Sequence, residues 1–162
     1  MVALPIRDRV GNTLLDVRFV AEDELAHLVD RAVMPASLVV VIHGDLILMM
    51  FDSRRKQWEL PGGMRENGET ARQTAVRELR EETGIHVLDV TFAAVAEFDL
   101  TEPVRRELVA VYRLRLQARP RLVVNDEALD FRWWRPSEPV SGGISPLDAE
   151  IARRVFLAPI AR

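Results

Sequence analysis

A run of five aliphatic residues, Leu38, Val39, Val40, Val41 and Ile42, constrains the fold more than any other stretch of the chain. Side chains of a strand alternate between its two faces, so an unbroken apolar run needs cover on both. The β-branched valines and isoleucine suit a pleated surface. The sheet that holds this strand therefore requires a layer above and a layer below. His43, Gly44 and Asp45 read as a tight turn, and residues 46–51 return as the hairpin partner.

The other elements follow from periodicity and punctuation. Val10, Gly11, Asn12 and Thr13 form a turn that leads into a strand over 14–20. Leu25, Leu28, Val29 and Ala32 are spaced as on one helical face, which predicts a short helix over 22–33, ended by Pro35. Trp58, Glu59 and Leu60 make a short extended piece that stops at Pro61, Gly62 and Gly63. A helix is predicted over 69–83, with Gly84 as its left-handed cap. Strands are predicted over 87–98, 107–117 and 132–134. A last helix begins near Pro146 and runs to 157, with Ser145 close to its N-terminus. This order predicts an α/β or α+β architecture in which helices pack on a sheet. With no repeat, low-complexity tract or linker-like run, one domain over 1–162 is expected, with residues 1–35 part of it.

Composition excludes several classes of chemistry. The chain has 162 residues and no cysteine, so disulfides, thiol catalysis and Cys-ligated zinc are ruled out. Its net charge of -3 opposes binding to nucleic acid polymers or anionic membranes. An anionic ligand would need a local basic patch or a metal. Residues 1–9 hold no apolar stretch of signal-peptide length, and the apolar run over 38–51 is broken by His43, Gly44 and Asp45. A cytoplasmic protein is the expectation.

The chemical centre lies on the helix predicted over 69–83. At about 3.6 residues per turn, Glu78, Glu81 and Glu82 share one face. Such carboxylates repel one another by roughly a few tenths of a kcal/mol per pair in water. They also sit in the last half of the helix, where its dipole disfavours negative charge. Arg77 and Arg80 are one compensating source of positive charge and a divalent cation is another. Oxygen donors without His or Cys suit Mg²⁺ or Mn²⁺, and Mg²⁺ readily accepts phosphate oxygens. On the residues alone, a solvated face of Glu–Arg pairs fits as well. Pro61, Gly62 and Gly63 let the backbone approach a ligand closely, and Glu69 is placed at the helix start, where an anion is stabilised.

The pattern Gly63, five residues, Glu69, seven residues, Arg77, Glu78, Leu79, one residue, Glu81, Glu82, one residue, Gly84, Ile85 resembles the complete Nudix signature. The resemblance implies a Nudix fold, a mixed β-sheet sandwiched between α-helices. It implies Mg²⁺-dependent hydrolysis, with Mn²⁺ as a substitute, of a nucleoside diphosphate joined to another moiety. Carried over, Glu78 and Glu82 are the main metal ligands and Glu81 a further ligand or the general base. Gly63 offers its carbonyl to a metal. Arg77 orients Glu69 or the ligand carboxylates, while Glu69 and Gly84 support the arrangement. Family members often draw a further Glu from outside the signature. Glu127 is the candidate here, with a solvated acidic loop as the competing reading, and Glu97 and Glu107 are the others. Many members are homodimers, and the segment before Pro35 could supply such an interface.

Arg54, Arg55 and Lys56 would suit a phosphate tail, or simply a solvated loop. Trp58, Trp133 and Trp134 could stack on a base, although a core or sheet-surface place suits each of them better. Arg105 and Arg106 form a second basic pair with no assigned role. The substrate expectation is a nucleoside triphosphate, oxidised or not, such as 8-oxo-dGTP. No Ser-Pro-Gly element stands near 97–103, where many ADP-ribose pyrophosphatases carry one, and the single tyrosine is Tyr112. ADP-ribose or a nucleotide sugar is the alternative substrate, and a non-catalytic nucleotide-binding module a further alternative. Isomerase chemistry on an isopentenyl-diphosphate-like substrate would want a cysteine that this chain lacks.

Overall fold

A computed structural model describes residues 1–29 and 33–160. In chain order its elements are β1 (Ile6–Arg7), β2 (Thr13–Arg18), a 3-10 turn (Glu22–Glu24), α1 (Leu25–Leu28), β3 (Val33–His43), β4 (Leu46–Asp52), β5 (Trp58–Glu59), β6 (Gly62–Met64), α2 (Ala71–Thr83), β7 (Thr91–Thr101), β8 (Val104–Arg115), β9 (Ala128–Trp134) and α3 (Pro146–Leu157). The strands form one sheet in the order β1-β2-β7-β8-β3-β4-β5, with β6 added to β3 and β9 to β4. β3 runs parallel to β8, and the other pairings are antiparallel. The sheet is thus mixed and carries a helical layer on each face, as expected.

β3 is the central strand, and its apolar run has the cover it needs. Val40 and Ile42 face the layer of α3, packing with Ile151 and Val155. Val39 and Val41 face the layer of α2, with Ala75 and Leu79. On one side β3 keeps β8 along its length. On the other it pairs β6 at Ala36, Ser37 and Leu38, and β4 only at Ile42 and His43. Between these partners Val39 N–H donates to the Pro61 carbonyl at 2.8 Å. The sheet therefore divides at Val39, and the division leaves Gly62 and Gly63 running over the C-terminal half of α2.

Two predicted helix boundaries shift. The helix expected over 22–33 is a 3-10 turn followed by the single turn Leu25–Leu28. So short a helix is marginal by itself, and Val33 has joined β3 opposite Glu107 of β8. Pro35 does not end a helix but lies inside β3, where the β3–β8 register shifts between Val33 and Ala36. A residue without an N–H is tolerated at such an irregularity. Residues 30–32 of that expected helix lie outside the described residues. The second shift concerns α2, which starts at Ala71 rather than Glu69. Thr70 is its N-cap: its hydroxyl accepts Gln73 N–H at 3.2 Å, and the Gln73 side chain accepts Thr70 N–H at 2.9 Å. Glu69 consequently stands in the loop before the cap.

At its other end α2 stops at Gly84, whose φ of 80° is left-handed and whose N–H donates to the Arg80 carbonyl at 2.9 Å. A Cβ at Gly84 would stand 2.9 Å from Val123 Cγ2. Gly84→Ala is expected to destabilise the protein by about 1–2 kcal/mol, the cost of a left-handed non-glycine residue. Urea unfolding measures it, and a loss under about 0.5 kcal/mol would contradict the account.

Candidate metal and phosphate site

Glu78 and Glu82 are not on the solvent side of α2. With Ala71, Thr74, Ala75, Leu79 and Thr83 they form its buried face. Ala71, Ala75 and Leu79 of that face pack into the core, while Glu78 and Glu82 meet β6. Gly62 N–H donates to Glu82 Oε1 at 2.8 Å. At Gly63 a Cβ would lie only 2.5–2.8 Å from the Glu78 carboxyl group, so a side chain there would push that carboxyl aside. A Cβ at Gly62 would fall 2.2 Å from the Ser37 carbonyl oxygen.

Glu127 reaches the same place from the loop before β9. One carboxylate oxygen each from Glu78, Glu82 and Glu127 lie within 4.8 Å of one another. Glu81, which the signature places beside them, is outside this group. It is half exposed and accepts Arg77 Nη1 at 3.1 Å. Burial pushes the Glu82 carboxyl up to about 8, Gly62 N–H opposes that rise, and Glu78 and Glu127 add to it. Glu78 is raised as well, by burial first, with Arg77 acting against the shift. Glu78 and Glu82, crowded in this way, favour a proton or a cation over two bare anions. Their all-oxygen donor set fits a hard divalent cation.

Arg77 organises the surroundings. Its Nε donates to both Glu69 oxygens at 2.9 and 3.1 Å, its Nη1 to Glu78 Oε1 at 2.9 Å, and its Nη2 to the Met64 carbonyl at 2.8 Å. One guanidinium thereby ties the loop before α2 to β6 and to the carboxylates. Glu69 fills this place from outside the helix, not from its first turn.

The group opens into a cavity of about 650 Å³ whose wall includes Leu38, Leu60, Phe98, Leu100, Val109 and Leu147. Its lining counts ten carboxylate side chains against four arginines, so a polyphosphate entering it requires a cation. Arg54 and Arg55 line the cavity; Lys56 does not. Arg55 is held from below: Nε donates to Glu59 at 2.7 and 2.9 Å and Nη2 to Asp52 at 3.2 Å. Asp52, Glu59 and Asp148 also line the cavity; each comes from a different element, so no sequence spacing joins them. Asp148 accepts Leu60 N–H at 2.8 Å and the Ser145 hydroxyl at 3.2 Å, and burial followed by Glu59 raises its carboxyl above the ordinary range.

The tryptophans stand elsewhere. Trp58 packs edge-on against Phe51 at 5.2 Å, outside the cavity lining. Trp134 is fully buried, and Trp133 sits between His43 and Arg119. The ring of Trp58 therefore lies on Phe51 and not among the residues that line the cavity. Of the other glutamates, Glu107 lines the cavity while paired with Arg105, and Glu97 is paired with Arg18 and Arg106.

A family model described as NUDIX domain matches residues 32–157. The uncharacterized Nudix hydrolase YvcI of Bacillus subtilis (strain 168) is 41% identical over 54 residues, which is 33% of this chain and 34% of that protein. Among solved structures, the E. coli dihydroneopterin triphosphate pyrophosphohydrolase superposes with a TM-score of 0.65 at 24% identity, covering 78% of this chain and 99% of that one. A MutT NUDIX hydrolase from Burkholderia pseudomallei gives 0.63 at 21% identity, covering 74% and 95%. At these identities the structural likeness is one of fold.

Metal-free stability should record the raised Glu82 carboxyl. The folded group titrates at about 8 against an ordinary 4.5, so its contribution is fully present below pH 4.5 and lost as pH rises towards 8. In EDTA, the Tm of the wild type is expected to fall over that window relative to that of Glu82→Gln. Parallel Tm–pH curves for the two proteins would contradict it.

Proposed function

The chain belongs to the Nudix family, and from that premise we propose that it is a hydrolase that uses Mg²⁺, with Mn²⁺ as a substitute, to cut the diphosphate linkage of a nucleoside triphosphate such as 8-oxo-dGTP in the cytoplasm. Nudix hydrolases act on small nucleotide-derived substrates and generally use a divalent metal. The observation that carries the reading is the meeting of Glu78, Glu82 and Glu127 within 4.8 Å on the wall of the cavity. Among the described residues, no helix is long and apolar enough to cross a membrane. In this reading residues 1–35 belong to the same folding unit, since β1 and β2 extend the sheet through β7.

Glu78, Glu82 and Glu127 would hold the cation, with the Gly63 carbonyl offered beside them. A Mg²⁺ held there would supply charge neutralisation for the diphosphate oxygens and a lowered pKa for a bound water. Arg77 keeps the carboxylates oriented through its bonds to Glu69 and Glu78. Glu81, half exposed beside the group, takes the proton from the attacking water. Arg54 and Arg55 receive the outer phosphates, and the apolar wall around Leu38 and Phe98 receives the base.

The test is phosphate release from 8-oxo-dGTP, dGTP, ADP-ribose, GDP-mannose, NADH and diadenosine tetraphosphate, with Mg²⁺, Mn²⁺ or EDTA. Turnover is expected to need metal and to favour a triphosphate. Glu82→Gln should lower kcat by about 100-fold or more while the protein stays folded. Product formation in EDTA, or full activity of Glu82→Gln, would sink the site assignment. A nucleotide-dependent rise in Tm without product would favour the binding-module reading instead.

A further inference from the structure

Glu127 poses a problem that the signature helix does not solve. Glu78 and Glu82 are one helical turn apart and share a face by geometry. Glu127 comes from the loop joining β8 to β9, is exposed, and must be held against two other carboxylates. Backbone bonds alone dock this loop at two points: Val123 N–H donates to the Thr83 carbonyl at 3.0 Å, and Ser53 N–H to the Glu127 carbonyl at 2.9 Å.

Asn125 supplies what lies between. Its Nδ2 donates to the Glu82 carbonyl at 2.8 Å and to the Val123 carbonyl at 3.1 Å. Its Oδ1 accepts Glu127 N–H and Ala128 N–H, both at 2.9 Å. The carbonyls in the last turn of a helix lack intrahelical donors, so the Glu82 carbonyl is a free acceptor at the right place. One short amide therefore caps α2 at the residue whose carboxylate joins the group and, with its other end, orders the turn that presents Glu127. Only Asn combines a donor and an acceptor at this reach: Asp keeps the turn and loses the donor, and Ala loses both.

We propose that Asn125 is a positioning residue that latches the Glu127 loop to the C-terminal end of α2 and thereby completes the cation site. The proposal rests on the metal-binding reading of Glu78, Glu82 and Glu127. The glycine at 84 belongs to the same device, because its missing Cβ leaves room for Val123 as the loop docks.

The test is a double-mutant cycle read by direct Mn²⁺ binding, with electron paramagnetic resonance of the free ion and no substrate present. Asn125→Ala is expected to raise the Mn²⁺ Kd by about tenfold when Glu127 is present, the usual scale for an outer hydrogen-bonding partner of a ligand. In a Glu127→Gln background the same change should raise it by less than about twofold, because the side chain it positions is gone. Asn125→Asp, which retains the turn, replaces the alanine variant in the cycle if the latter fails to melt cooperatively. An equal loss in both backgrounds, or no loss in either, overturns the latch while leaving the metal reading intact. Failure of the wild type itself to bind Mn²⁺ overturns the metal reading and the latch together.

Discussion

Everything at the site depends on two glutamates being buried on a helix. Placing a carboxylate away from water costs several kcal/mol unless hydrogen bonds or a counter-charge compensate. The protein meets that cost locally. Gly62 N–H bonds Glu82, and Arg77 bonds Glu78. The same requirement accounts for the bare backbone of β6: a Cβ at Gly62 would strike the Ser37 carbonyl, and one at Gly63 would displace the Glu78 carboxyl. It also explains why Arg77 is anchored to both Glu69 and the Met64 carbonyl, since a loose guanidinium could not hold one carboxylate steadily.

The fold supplies the support. β3 is pinned between helical layers and is shared by β6 and β4 on one edge. That division brings the glycine strand across α2 while the other half of the edge continues the sheet. One helical face then does two things side by side: Ala71, Ala75 and Leu79 fill the core, and Glu78 and Glu82 reach the cavity. The chemistry is thereby mounted on a helix, with an exposed acid, Glu127, brought to it by a loop that is itself tied down.

What was legible in the sequence was local. The β-branched run, the helical period of Glu78 and Glu82, and the stop at Gly84 are each decided within a few residues, and the structure carries all three. What was not legible depends on partners distant in sequence. Val33 and Pro35 were read with the preceding helical spacing, but pairing with β8 draws them into β3. Thr70 takes the cap ahead of Glu69 because its hydroxyl and Gln73 form a reciprocal pair. Trp58 is aromatic and close to the glycines in sequence, yet its ring packs edge-on against Phe51, outside the cavity lining. Asp52, Glu59 and Asp148 gave no signal, because only the assembled sheet and α3 bring them to one wall. Asn125 did leave a trace, two residues before Glu127, in the spacing of a side-chain-capped turn.

The central claim is that Glu78, Glu82 and Glu127 together hold a divalent cation. Anomalous diffraction from crystals of the protein soaked in Mn²⁺ tests it most directly. The account predicts a manganese peak at a coordination distance of about 2.0–2.2 Å from carboxylate oxygens of Glu78 and Glu82, with Glu127 directed at the same ion. A peak held instead by other cavity acids such as Asp52 and Glu59, or no peak beside α2 at saturating Mn²⁺, would contradict it.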